Sequence, residues 1–170
     1  MLLQEILNVE YLPVTWLSDT IGTFDFNDKQ FGIIFQEYDI TLKPRILDVV
    51  NISFGLVIDT SKPISATNID RTLTKFGKPR TILATVGHAC VDNPKIKAYD
   101  LILIAASDQA KEKRFGVYGL AINELITKLP EYKNVYHANT ANGTILTVIS
   151  RITLTQAESD YIGKEILGKE

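Results

Sequence analysis

Leu101 to Ala106 is an unbroken apolar run, LILIAA, of strand length. The absence of polar alternation predicts a central strand buried on both faces. On either side the pattern changes to helical spacing. Before the run, Ile82, Leu83, Val86 and Cys90 form an apolar stripe that starts near Pro79 and stops at Asn93-Pro94, as a helix with proline in its first turn would. After it, Phe115, Tyr118, Ile122, Leu125, Ile126 and Leu129 recur at i, i+3/i+4 up to Pro130, with Ser107 or Asp108 as the cap of a helix beginning near Gln109. Gly87, inside the first stripe, costs about 1 kcal/mol relative to Ala and suggests close packing against a strand.

The rest of the chain can pack on that helix, strand, helix unit. Leu2, Leu3, Ile6 and Leu7 fit a short amphipathic helix or an extended segment before Pro13. Ile21 to Phe26 and Gln30 to Tyr38 alternate around Asn27-Asp28 and read as a hairpin. Val49 to Ile58 is a third strand after the break at Lys43-Pro44, with Gly55 marking a bulge or a close backbone approach. Lys133 to Ala138 and Thr144 to Leu154 form a second hairpin around Asn142-Gly143, a type I′ turn signal. Thr155 with Glu158 makes a capping box for a final helix carrying Tyr161, Ile162, Ile166 and Leu167 on its apolar side. The expected fold is therefore α+β: one domain over residues 1–170, with a mixed, mostly antiparallel sheet, two central helices and a C-terminal helix.

One polar connection breaks the pattern. Asp59 to Phe76 runs for 18 residues, beyond the roughly 12 to 15 usual for a structureless loop, with room for a short strand at Ile64 to Thr67. Its length and polarity predict an exposed contact surface extending to Arg80.

Composition narrows the function classes. With 18 basic and 20 acidic residues, the chain has no excess positive charge of the kind that nonspecific nucleic-acid binding requires. A single Cys90 excludes an internal disulfide and a cysteine-rich zinc site, and a reducing cytoplasm fits. The opening MLLQEILNVEYLP lacks a basic n-region and is interrupted by Gln4, Glu5 and Asn8, so neither a signal peptide nor a membrane span is expected.

Chemistry-bearing residues are few. His88 and His137 are the only histidines and have no metal-ligand spacing around them. A Cys90–His88 nucleophile pair would need both side chains on one side of a helix, whereas neighbouring helical residues point about 100° apart; a buried structural Cys90 and a half-exposed sheet His137 are expected instead. Arg71, Lys75, Lys78 and Arg80 place four positive charges in ten residues ahead of a helix start. They read either as a solvated loop or as a site for an anion or for a partner's carboxylates. Lys111, Lys113 and Arg114 oppose the dipole at the start of the next helix and call for salt bridges with groups such as Asp108 or Glu112. Tyr11, Leu12, Trp16, Tyr132 and Tyr136 suit an interface or a core equally.

The element order resembles the central and C-terminal parts of the GNAT acyltransferase fold. That fold places a glycine-rich motif between its third meander strand and the next helix, to hold the acetyl-CoA pyrophosphate. Here the place is taken by residues 71–80, RTLTKFGKPR, with one glycine, Gly77, and with Pro79 removing an N–H. The sequence itself resembles a family of small uncharacterised bacteriophage proteins through LQEIL, Trp16, the Phe24/Phe26 strand, ISFGL, ILATVG, DLILIAAS and KRFGVYG, departing from its pattern at Asp59 to Phe76 and Asn139 to Gly143. The resemblance implies a phage origin and a GNAT-like sheet, and nothing about catalysis. The expected function is contact with a host or virion protein, in the host cytoplasm or the virion, with a homo-oligomer open. No catalytic, metal or cofactor residue is assigned; the alternative is an N-acyltransferase using acetyl-CoA, or a CoA-binding relic of one.

Overall fold

The computed structural model describes residues 10–71, 79–106, 122–139 and 145–167. In chain order these form β1 (Thr15–Trp16), β2 (Ile21–Phe26), β3 (Lys29–Leu42), β4 (Arg45–Val57), β5 (Ile69–Asp70) and α1 (Pro79–Asp92). A 3-10 turn (Pro94–Ala98) and β6 (Leu101–Ala106) follow. Then come a helical stretch over 122–128, named α2, and β7 (Asn134–Asn139), β8 (Ile145–Ser150) and α3 (Gln156–Leu167). The fold is mixed α+β. Its eight-stranded sheet has the order β1-β2-β3-β4-β6-β8-β7, with β5 added on β4, and every pairing is antiparallel except β4 with β6. The expected helix over residues 1–9, the start of a helix near Gln109 with its cap and its basic group, and the Asn142-Gly143 turn all lie outside the described residues.

β6 behaves as its apolar run requires. It pairs with β4 on one side and β8 on the other, and its two faces enter different cores. Ile102 and Ile104 join Phe31, Ile33, Phe35, Val50 and Ile52 under α1 and α2. Leu101 and Leu103 join Ile40, Leu47, Val49, Leu146 and Val148 under α3. Leu101 to Ile104 are all buried. α1 turns Ile82, Leu83, Val86, Ala89 and Cys90 into the first core, and α2 adds Ile122 and Leu125, as their spacing predicts.

The first hairpin turns at Asn27 and Asp28, both in the left-handed region with φ of 50° and 62°, the conformation a two-residue turn between twisted strands requires. Lys43-Pro44 does not end the meander. It is the turn of a longer hairpin in which β3 and β4 pair from Phe31↔Leu56 to Leu42↔Arg45, because Ile40, Leu42 and Leu47 continue the buried alternation. The capping box forms as expected. The Thr155 N–H donates to Glu158 Oε1 at 2.9 Å, and the Glu158 N–H donates to Thr155 Oγ1 at 3.1 Å.

Gly55 marks a close approach. A Cβ there would overlap the carbonyl oxygen of Asp70, since β5 folds back against the end of β4. Opposite it in the β3–β4 register stands Gly32, where a Cβ would lie 2.6 Å from a methyl of Ile64. Both absences of a side chain let residues 58–70 lie on the sheet, where Ile64 and Ile69 pack with Ile34 and Val57.

Tyr132 joins the elements around the 3-10 turn. It is fully buried, and its hydroxyl donates to Ile96 O at 2.8 Å and to Tyr99 O at 2.5 Å. The Arg151 guanidinium lies over the ring, 4.8 Å from its centroid.

Two expectations follow for stability. Gly55→Ala should destabilise by about 1 to 3 kcal/mol, and more than Gly32→Ala, because the first collides with backbone and the second with the end of a side chain; chemical denaturation measures both, and equal losses would refute the account. Burial pushes the Tyr132 phenol up to about 12, against the lowering effect of Arg151. A raised phenol contributes stability that is complete below its unfolded pKa of about 10 and is lost as pH rises toward about 12. Tyr132→Phe should cost about 1 to 3 kcal/mol at neutral pH and flatten that alkaline decline; an unchanged alkaline slope would count against it.

Candidate functional site

The chain approaches β1 as an extended segment laid over α1. Pro13 keeps it out of a helix, and the Leu12 N–H donates to Thr85 Oγ1 at 2.9 Å. The Thr85 hydroxyl in turn donates to Thr81 O at 2.7 Å, so a buried α1 side chain spends its polar capacity fixing the segment. At its start the Tyr11 ring stacks on His88 with centroids 3.8 Å apart and planes at 22°. At its end the Trp16 ring packs edge-on against Phe35 with centroids 5.3 Å apart.

Between segment and helix lies a cleft of about 320 Å³. Its apolar walls are Leu12, Pro13, Val14, Trp16 and Ala89, and Tyr11, His88 and Asp92 supply aromatic and polar groups. His88 Nε2 is 3.0 Å from Asp92 Oδ2, one helical turn on, and its Nδ1 is 3.9 Å from Glu124 Oε1 on α2. An imidazole held between two carboxylates can carry a proton, but a nucleophile has to be supplied from elsewhere. Cys90 does not supply it. The thiol is 1% exposed on the core side of α1, and burial pushes its pKa up, which removes the thiolate that reactivity needs.

Of the four basic residues ahead of α1, Lys75 and Lys78 lie outside the described residues. Arg71 is exposed directly after β5, and Arg80 is exposed in the first turn of α1. No acidic residue shares that turn. Residues 59–70, expected as an open surface, are exposed at 60–63 and 67, while Ile64, Asn68 and Ile69 are buried against the sheet. Asn68 is buried and donates through Nδ2 to Asp59 O at 2.9 Å and Pro63 O at 3.0 Å, while its Oδ1 accepts from the Asp59 N–H at 2.9 Å. One amide thus adds to the backbone bonds that close the loop, in which the Ile58 N–H donates to Asn68 O and the Asn68 N–H donates to Ser65 O. The short strand falls at Ile69–Asp70, beside β4, not at 64–67.

His137 is an exposed sheet residue, its Nδ1 lying 3.4 Å from Thr147 Oγ1. Among the described residues no group of three or more His, Cys, Asp or Glu side chains is arranged to hold a metal ion, and no helix is long and apolar enough to cross a membrane. Sequence reading missed the partners of His88. The His88–Asp92 spacing of four on a helix was a usable signal, whereas Glu124 comes from another element and left no local trace. Comparison with protein families, curated proteins and solved structures finds no match in any of the three.

Cys90 should resist a disulfide reagent such as DTNB in the native protein and react stoichiometrically in denaturant. Labelling of the folded protein within seconds would show that the thiol is reachable and the assignment wrong.

Proposed function

We propose that this is a bacteriophage protein that works by contact with another protein, as a virion component or as an effector on a host protein, with the cleft over α1 as its contact site. The observation carrying this reading is the cleft with its exposed apolar border: Tyr11, which lines it, is 52% exposed, and Leu17, next in sequence to the lining Trp16, is 60% exposed. Large side chains left in water around a concavity are the usual mark of a surface that another molecule covers. The likeness to small phage proteins supports the origin, and a phage origin places the partner in the host cytoplasm or in the virion.

A second reading has its own observation. The parallel register of β4 with β6 covers only Val49↔Leu101 to Ile52↔Ile104, after which β4 runs on to Val57 beside β5. Two parallel strands that part in the middle of a sheet suit a GNAT-like frame, with α1 and α2 as its two central helices. In that frame Arg71 and Arg80, exposed ahead of and within the first turn of α1, would offer countercharge to acetyl-CoA phosphates, and the positive end of α1 would add to it. An N-acyltransferase, or a CoA-binding relic, is the function this frame would serve.

A photoreactive residue at position 17, expressed during infection, should capture one discrete protein, and Trp16→Ala should abolish the adduct. The same probe at Tyr161, 43% exposed on α3, should not capture it. Adducts that ignore Trp16→Ala, or equal capture from Tyr161, would move the contact elsewhere. A rise in melting temperature with acetyl-CoA, lost on charge reversal of Arg71 and Arg80, would favour the second reading, because a ligand bound only by the folded state must stabilise it.

A further inference from the structure

Taking the cleft over α1 as the contact site, we propose that it receives a basic side chain of the partner, an arginine flanked by apolar residues. Among the described residues, charge at the cleft is one-sided. Asp92 and Glu124 stand on either side of His88, 3.0 and 3.9 Å from its ring nitrogens, so the trio is net negative whichever protonation state the imidazole takes. Asp92 is also the last residue of α1, and no basic side chain lies in that helix's last turn. The negative end of the helix dipole therefore adds to the two carboxylates. The nearby Lys95 is engaged by Glu37 at 3.3 Å.

The walls select among cations. Tyr11 and Trp16 both line the cleft, and an aromatic face attracts a guanidinium through its quadrupole, more often than it attracts an ammonium. The remaining walls, Leu12, Pro13, Val14 and Ala89, suit a methylene stem. A volume of about 320 Å³ sits at the low end of small-molecule pockets, which span roughly 300 to 1,000 Å³. That is room for one long side chain. Leu17, next in sequence to the lining Trp16 and exposed, gives an apolar neighbour of the arginine a surface to cover.

Trp16 is the only tryptophan in the chain, so its fluorescence reads this cleft directly. Acetyl-Leu-Arg-Leu-amide, titrated at constant ionic strength, should change that emission saturably. The citrulline peptide, equal in shape but neutral, should bind about tenfold more weakly, and the glutamate peptide should give no saturable change. In the Asp92→Asn, Glu124→Gln double variant, with its melting temperature checked, the advantage of the arginine peptide over the citrulline peptide should shrink to what the aromatic faces alone supply. Equal binding of the two peptides to the unmodified protein would overturn the inference while leaving an apolar contact site in place. No saturable response to either peptide would count against the cleft itself as a binding site, and a preference for the glutamate peptide would reverse the assigned charge.

Discussion

The parallel pairing of β4 with β6 holds this molecule together. Everything before it is an antiparallel meander of β1 to β4, and everything after it is the β6–β8–β7 ladder with α3; in the sheet, the two halves meet along four residue pairs. Parallel neighbours cannot be joined by a tight turn, so the chain adds β5 beside the end of β4 and then crosses the face through α1 before returning to β6. Ordering so long a connection costs conformational entropy before any contact across the pair forms. Burial of both faces of β6 offsets that cost, since Leu101 to Ile104 carry no polar side chain that would need a partner. Asp100 fixes the register at the mouth of the pair, its carboxylate accepting from the Asp48 N–H at 2.9 Å while its own N–H donates to Asp48 O at 2.8 Å. The Asp48 carboxyl is pushed up by desolvation and then by Asp100 and Asp39, so this junction gathers negative charge where the hydrogen bonds are made.

The same constraint sets the position of the cleft. α1 must lie on the sheet to bring the chain back to β6, and its apolar stripe points inward for that reason. Its outer side is then free to take the segment before β1, which is tied down through Thr85 and Tyr11 and leaves the cleft beside it. Residues 58–70 solve a related problem at the other end of β4. They lie against the sheet because Gly32 and Gly55 present no side chain there, and the Asn68 side chain adds to the backbone hydrogen bonds that close them.

Regular elements were readable because burial imposes a period on the sequence. Leu101 to Ala106, the α1 stripe, the Asn27-Asp28 turn and the Thr155–Glu158 box all appear where spacing put them. Gly55 was readable too, as a close approach, although not the identity of what approaches it. At residues 59–70 length and polarity indicated the exposure seen at 60–63 and 67, but composition does not reveal that Asn68 folds the loop onto itself. The extension of β3 and β4 through Lys43-Pro44 was missed because a proline that ends a strand and a proline that turns a hairpin leave the same mark. The candidate site was the least legible part. Tyr11, Trp16 and His88 stand out as residue types, but their meeting depends on a packing geometry that no short-range pattern encodes.

Helical geometry also decides what the site can do. At about 100° per residue, positions 88 and 90 of α1 point some 160° apart, and positions 88 and 92 only about 40° apart. The register that buries Cys90 in the core therefore turns His88 outward and brings Asp92 beside it. One rotation of the helix thus removes the nucleophile and supplies the acid partner. Sliding the helix to expose the thiol would draw Ile82, Leu83 and Val86 out of the core with it, at roughly 1.5 to 3 kcal/mol for each such side chain, a large part of the 5 to 15 kcal/mol that holds a domain of this kind together. The cleft is consequently fixed as a place where aromatic faces meet the His88–Asp92 pair.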